Sequence, residues 1–229
     1  MISTFQQGVD GYSGCQDGHV NGGPSWVNWN AGGSSVITVG RYDAYSPRKI
    51  LIRFDLSSVE AGELCKAASL RFYHTGTTGN QTANVTIVAY AIAAANGGWI
   101  EGTVNEAVQE GSPCWNQLAY GSPGTNWAGS AGLSTPGTDY IATSLGSVLC
   151  PDGSDGWRTI VFNAAGRAVI QSWFGVAAPA GLLIVPSSYA SGALAHLRSR
   201  NYSATYAPIL SVTHRAYQPD AGPVPCIVL

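Results

Sequence analysis

The chain has 229 residues, a formal net charge of −2 and only 10% charged residues, where an ordinary globular protein has about a quarter. Lysine occurs only at Lys49 and Lys66. That leaves no basic stripe for a nucleic-acid partner and no polybasic segment for an anionic membrane surface. No apolar run reaches transmembrane length, so no membrane insertion is expected, and the length suits one large all-β domain.

Residues 1–7 carry neither the basic nor the apolar region of a secretory signal. A particle component made in a host cytoplasm fits such a start, so the expected location is extracellular or on a particle surface such as a virion. Dense turn punctuation then separates short segments with β character. Strands are predicted over 35–40, 49–56, 68–74, 84–92, 139–144, 157–162, 180–185, 194–200 and 209–215.

In residues 48–58, Ile50, Ile52 and Phe54 share one face, with Arg53 and Asp55 on the other, and Ser57-Ser58 suits the turn that follows. In 68–74, Leu70, Phe72 and His74 oppose Ser69, Arg71 and Tyr73. Residues 85–92 are apolar on both faces, as in a central strand. One segment is helical instead. Asn163 is a suitable N-cap, Val169, Ile170, Trp173 and Phe174 recur at helical spacing, and Gly175 is placed to end it. This short helix is expected to cap one end of a sandwich.

Residues 96–138 form a long Gly-, Ser- and Trp-containing insert with little periodicity, the kind of loop that is functional or locally packed. The domain is read as 1–215. A Pro-rich arm, 216–229, ends in Cys226, Ile227, Val228 and Leu229, apolar enough to suggest docking on a partner.

Candidate chemistry is sparse. The five cysteines, Cys15, Cys65, Cys114, Cys150 and Cys226, contain no C-x-x-C pair, which speaks against structural zinc. They read either as buried small hydrophobes or as one or two disulfides, with Cys15 or Cys226 linking neighbouring subunits. No H-E-x-x-H or G-x-S-x-G occurs, although His74, His196 and His214 could converge in space. Glu101, beside Trp99, has the placing of a glycosidase acid. No cofactor is expected; Asp10, Asp17 and Asp55 could supply oxygens to a structural Ca²⁺, but no spacing resembles a calcium loop. Of the aromatics, Tyr12, Trp26, Trp29, Tyr42, Tyr45 and Trp127 lie in loops rich in Gly, Asn and Ser. They could present plates to a sugar ring or to a protein surface.

Several segments together resemble the DNRLRE-type domain, a β jelly-roll family classed with carbohydrate-binding modules. They are Asp17-Gly18-His19-Val20, Asn28-Trp29-Asn30 through Val39-Gly40, Leu51-Ile52-Arg53-Phe54-Asp55-Leu56-Ser57, and Ala67-Ala68-Ser69-Leu70-Arg71-Phe72-Tyr73. Further matches are Trp99-Ile100-Glu101-Gly102, Cys114-Trp115-Asn116, Val169 to Gly175, Ala180 to Ile184, and Leu197-Arg198-Ser199-Arg200 with Ala207 to Val212. The resemblance implies a jelly-roll β-sandwich, binding of a polysaccharide in some members, and no shared catalytic constellation, so the chain is not expected to be an enzyme. It also implies a structural acceptor role for Glu101 rather than that of a glycosidase acid, and core positions for Trp99, Trp115, Trp173, Phe54 and Phe72. Two functions follow. The first is a structural surface protein, a particle-decorating or appendage unit that contacts copies of itself or a shell protein. The alternative is a carbohydrate-binding module using its loop aromatics.

Overall fold

The computed structural model describes residues 1–76 and 83–216. The arm with Cys226, Ile227, Val228 and Leu229 lies outside the described residues. Among those described, the strands are β1 (Ile2–Gln6), β2 (Cys15–Asn21), β3 (Trp29–Asn30), β4 (Val36–Arg41), β5 (Pro47–Phe54), β6 (Leu64–His74), β7 (Val85–Ala91), β8 (Ala107–Val108), β9 (Gln117–Ala119) and β10 (Thr125–Asn126). They continue with β11 (Gly146–Cys150), β12 (Gly156–Val161), β13 (Leu182–Pro186), β14 (Leu194–Arg198) and β15 (Ile209–Arg215), and the single α-helix, α1, is Ala164–Gln171. No described helix is long and apolar enough to cross a membrane.

The expected all-β sandwich with one short helix is what the chain forms. Its main sheet path runs β1-β15-β6-β14-β4-β5-β13-β7-β11, with β12 added to β6 and β2 to β5, and every pairing in it is antiparallel. The period-two pattern of β6 buries Ala68, Leu70, Phe72 and His74 and leaves Ser69, Arg71 and Tyr73 half-buried. Its core side meets Ile50, Ile52 and Phe54 of β5 and Ile87 and Ala89 of β7 in one apolar cluster. The Asn163 side chain accepts from the Gly166 amide and starts α1, and Ile170, Trp173 and Phe174 pack into the same cluster. The helix ends at Gln171; Gly175, with φ +77°, falls just beyond it, and its amide donates to the Leu56 carbonyl.

One strand prediction fails. Residues 139–144 contain only bridges at Tyr140, because the Asp139 side chain organises the neighbouring loop. The true strand begins at Gly146, whose φ of +156° is open to glycine and strained for other residues. The terminal strand β1 was also not anticipated; its polar, alternating segment is held by register with β15, from Ile2↔Thr213 to Gln6↔Ile209.

The insert is not a projecting loop. It covers the outer face of β2, β5 and β13 and builds a second apolar cluster: Leu51 and Leu183 from the sheet, with Trp99, Leu118, Trp127 and Leu133 from the insert. Strand β5 is therefore buried on both faces, and its odd-numbered side chains anchor the insert. Lys49 Nζ donates to the Gly132 and Leu133 carbonyls and to Ser134 Oγ (2.7, 3.2 and 3.1 Å). Arg53 donates to Gln16 Oε1 and to the Gly97 carbonyl, and its guanidinium lies 4.5 Å from the Trp99 ring centre. Arg53, on the face of β5 opposite Ile50, Ile52 and Phe54, is buried because the insert roofs that face.

Truncating Leu51 to Ala opens a cavity between β5 and the insert, and should cost about 2–5 kcal/mol in denaturant-induced unfolding. Leu149→Ala, at a half-exposed position on the terminal strand β11, should cost well under that amount in the same measurement.

Candidate functional site: an aromatic pocket beside the insert

The hairpin between β4 and β5 projects Tyr42 and Tyr45, which are 42% and 74% exposed. Tyr45 is held by its own loop, since its amide donates to Asp43 Oδ1 at 2.8 Å. Beside it opens a pocket of about 290 Å³ whose lining includes Tyr45, Pro47, Trp115, Tyr189, Arg41 and Lys49. Trp115 comes from the insert and Tyr189 from the loop between β13 and β14. The pocket therefore exists only because the insert is docked on the sheet. The Tyr189 hydroxyl is shielded from solvent and has no protein hydrogen-bond partner, and burial pushes its ionisation far above the ordinary tyrosine value.

Lys49 forms the inner wall, its ammonium 5.3 Å from the Trp115 ring centre. All three of its protons are committed to the insert, so it holds the wall in place and has none left for a ligand. Burial pulls its pKa down to about 8, against the favourable charge of Asp139.

The aromatic surface continues beyond the pocket. A side chain at Gly22 would run into Pro47 and the Trp115 indole, and one at Gly23 into Trp26 and Ser46. These two glycines let the chain lie flush between Trp115 and Trp26. Trp26 in turn meets Trp29 edge to face at 6.2 Å, both rings being half-buried.

Of the six loop aromatics singled out from sequence, Tyr45 lines the pocket, Tyr42 shares its hairpin, and Trp26 and Trp29 extend the surface. The other two do not join it. Trp127 is only 4% exposed, with its indole N–H given to the Cys114 and Trp115 carbonyls at 3.0 and 3.1 Å. It supports the segment that carries Trp115 and cannot be an exposed plate. Tyr12 packs on Phe5, donates to the Asp55 carbonyl, and lines a separate polar groove. Conversely, Trp115 had been assigned to the core, and Tyr189 was passed over although its Ser-, Ala- and Gly-rich loop has the composition that marked Tyr42 and Tyr45.

Of the two cysteine readings, buried small hydrophobes holds for the four described cysteines and the disulfide reading is corrected. Cys15, Cys65, Cys114 and Cys150 are all buried, with no disulfide among them. Cys15 is fully enclosed at the start of β2 in the main core, so it cannot reach a neighbouring subunit. Burial pushes its thiol well above the ordinary value, as expected of an inert core cysteine.

Asp10, Asp17 and Asp55 do not gather. Asp10 is exposed, Asp55 accepts from the Ser57 amide at 2.8 Å, and Asp17 is enclosed in β2. Among the described residues no three His, Cys, Asp or Glu side chains are placed to hold a metal ion. The histidines divide as well. Burial lowers the His196 pKa to about 4, helped by the charge of Arg48 and then by His74 and His19, the last of which lies 3.3 Å from Glu106. His214 lies elsewhere, against Glu63.

Glu101 is the structural acceptor expected of it. It receives the Asp17 amide (2.8 Å) and the Arg200 guanidinium, while Arg200's amide donates to Asp17 Oδ2 (2.8 Å). This cluster ties the insert to β2 and to the chain after β14. Burial, together with the nearby Glu101 carboxylate, raises the Asp17 pKa from 3.8 to about 8.

No protein-family model matches the chain, and no curated protein sequence matches it.

The Asp17 shift gives a signed pH dependence. The folded state holds this proton more tightly than the unfolded state, so the associated stability is complete at low pH and is lost as pH rises towards about 8. Asp17→Asn, which cannot ionise, should lack that loss. The unfolding free energy of the variant minus that of the parent should therefore grow as pH rises from about 4 to about 8. Urea titrations across this range read it directly. Taking the difference cancels the opposite contribution of His196, whose lowered pKa removes stability as pH falls.

Proposed function

We propose that the chain is a surface module of the DNRLRE, carbohydrate-binding-like type, a jelly-roll variant whose Tyr45–Trp115–Tyr189 pocket holds a saccharide unit of a polysaccharide. The observation that carries this reading is the convergence of three aromatic side chains from three separate loops on one open pocket. Flat rings offer the faces of a sugar the C–H contacts they favour, and the Arg41 guanidinium supplies a polar group at the edge. The neighbouring Trp26–Trp29 pair extends the surface in the manner needed for a chain rather than a single ring. The reading assigns the pocket recognition and no reaction, and it suits an extracellular or particle-surface location.

The test is affinity electrophoresis through gels containing alginate, polygalacturonate, xylan or mixed-linkage glucan. Retardation in at least one gel is expected, and Tyr45→Ala should weaken it about tenfold or more, the scale of losing one aromatic anchor. Because Tyr45 is exposed, the substitution should leave the unfolding transition unchanged. Absence of retardation across these gels and across a broad glycan array would contradict the reading.

Assembly is a second reading, supported by the exposed apolar side chains Leu149 and Val161 on the neighbouring strands β11 and β12, at the β11 terminus of the sheet path. Such an edge invites a second chain. Sedimentation velocity should then show a concentration-dependent oligomer that Leu149→Lys disperses. A monomer at every accessible concentration, with and without reductant, would contradict it.

A further inference from the structure

The end of the sandwich near α1 carries a cluster that the pocket does not use. Glu63 lies just before β6, Ser3 on β1 and His214 on β15. Ser3 Oγ is 2.8 Å from His214 Nε2, and the Glu63 carboxylate is hydrogen-bonded to His214 Nδ1. His214 and Glu63 are buried, whereas Ser3 is half-exposed. Phe174, just after α1, sets its ring edge-to-face with the imidazole at 5.9 Å.

This is the connectivity of a nucleophile, a base and an orienting carboxylate. A carboxylate only accepts, so it keeps the imidazole proton on Nδ1 and turns the Nε2 lone pair towards the Ser3 hydroxyl. The backbone fixes the pair. The Met1 amino group donates to the His214 carbonyl at 2.7 Å, and the His214 amide donates to the Met1 carbonyl at 3.0 Å. In that antiparallel register Ser3 sits opposite Val212. The amide of Thr4, the next residue, is therefore directed away from β15, to the outer side of a strand that ends the sheet path. It is the donor that the site offers to a developing oxyanion. Met1, 75% exposed and on the same face of β1 as Ser3, lies beside it on the solvent side.

We propose that Ser3, His214 and Glu63 form an acyl-transfer triad that accepts small carboxylic esters. In the first step Ser3 Oγ bonds to the ester carbonyl carbon and passes its proton to His214 Nε2. The C–O bond to the alcohol breaks, and the alcohol leaves with that proton. In the second step water gives its proton to His214 and attacks the acyl-Ser3 carbonyl, the carboxylic acid departs, and the proton returns to Ser3. No oxidant, metal or cofactor enters the balance. The inference is independent of the saccharide pocket, which lies at the opposite end of β5.

The test uses the full chain, a fluorescent fluorophosphonate and p-nitrophenyl acetate. With the fluorophosphonate, the Ser3 Oγ–P bond forms, fluoride leaves and His214 takes the proton. Peptide mapping is expected to place one label on Ser3. Ser3→Ala, a small change at a half-exposed position, should abolish both label and ester turnover with an unchanged circular dichroism spectrum. Glu63→Gln should slow labelling about 10²-fold or more, as loss of the tautomer-fixing carboxylate does. The proposal is overturned if Ser3 stays unlabelled, if Ser3→Ala labels as fast as the parent, or if folded Glu63→Gln reacts at the parental rate; in each case the three side chains serve only to tie β1 to β15.

Discussion

The structure turns on the burial of β5 on both faces. Its inner face, Ile50, Ile52 and Phe54, belongs to the sandwich core. Its outer face, Lys49, Leu51 and Arg53, would be ordinary solvent-facing surface were it not for the insert. Two buried cations are costly unless every proton finds an acceptor. Here most acceptors belong to the insert, the Gly97, Gly132 and Leu133 carbonyls and Ser134 Oγ, while Gln16 Oε1 of β2 takes the other Arg53 donors. The charge that makes the face expensive to bury thus also makes it specific for one covering segment. Leu51, between the two cations, supplies the apolar contact, and Trp99 completes it by stacking on Arg53.

The insert needs internal order to present those carbonyls. Asp139 provides it. Its carboxylate accepts from the Gly129, Ser130 and Thr135 amides and from the Asn96 side chain. Burial opposes its ionisation, but these donors outweigh that cost and hold the carboxyl below its ordinary range. Trp127 closes the same loop from within by donating to the Cys114 and Trp115 carbonyls. Trp115 is left as the wall of the pocket. The aromatic pocket is therefore assembled at the seam between sheet and insert, and depends on a chain of contacts that begins at β5.

The sandwich was legible where period-two alternation was strong. Leu70, Phe72 and His74 against Ser69, Arg71 and Tyr73 identified β6, and Asn163 with Val169, Ile170, Trp173 and Phe174 identified the helix. Trp99 was legible as a core residue, but the rest of the second core was not, because Leu51, Leu118 and Leu133 are spread over segments without a shared period. Only tertiary docking makes them neighbours. The same cause misassigned the aromatics. Gly- and Ser-rich surroundings mark both Tyr45 and Trp127, and local composition cannot tell a ring that projects from one that plugs the insert. Cys15 failed as a candidate link for a related reason, since nearness to a chain end says nothing of burial once β2 pairs with β5 along its whole length. The Ser3–His214–Glu63 cluster has no local motif at all; the pairing of β1 with β15 creates it.

The most direct measurement of this account is amide hydrogen exchange of Lys49→Met, which keeps much of the stem of the side chain and removes the ammonium. Exchange should accelerate in residues 128–135 of the insert, while β6 and β15 retain parental protection and binding at the aromatic pocket weakens. Parental protection throughout the insert would contradict the claim that Lys49 docks it, and so would a uniform loss of protection across insert and sandwich alike.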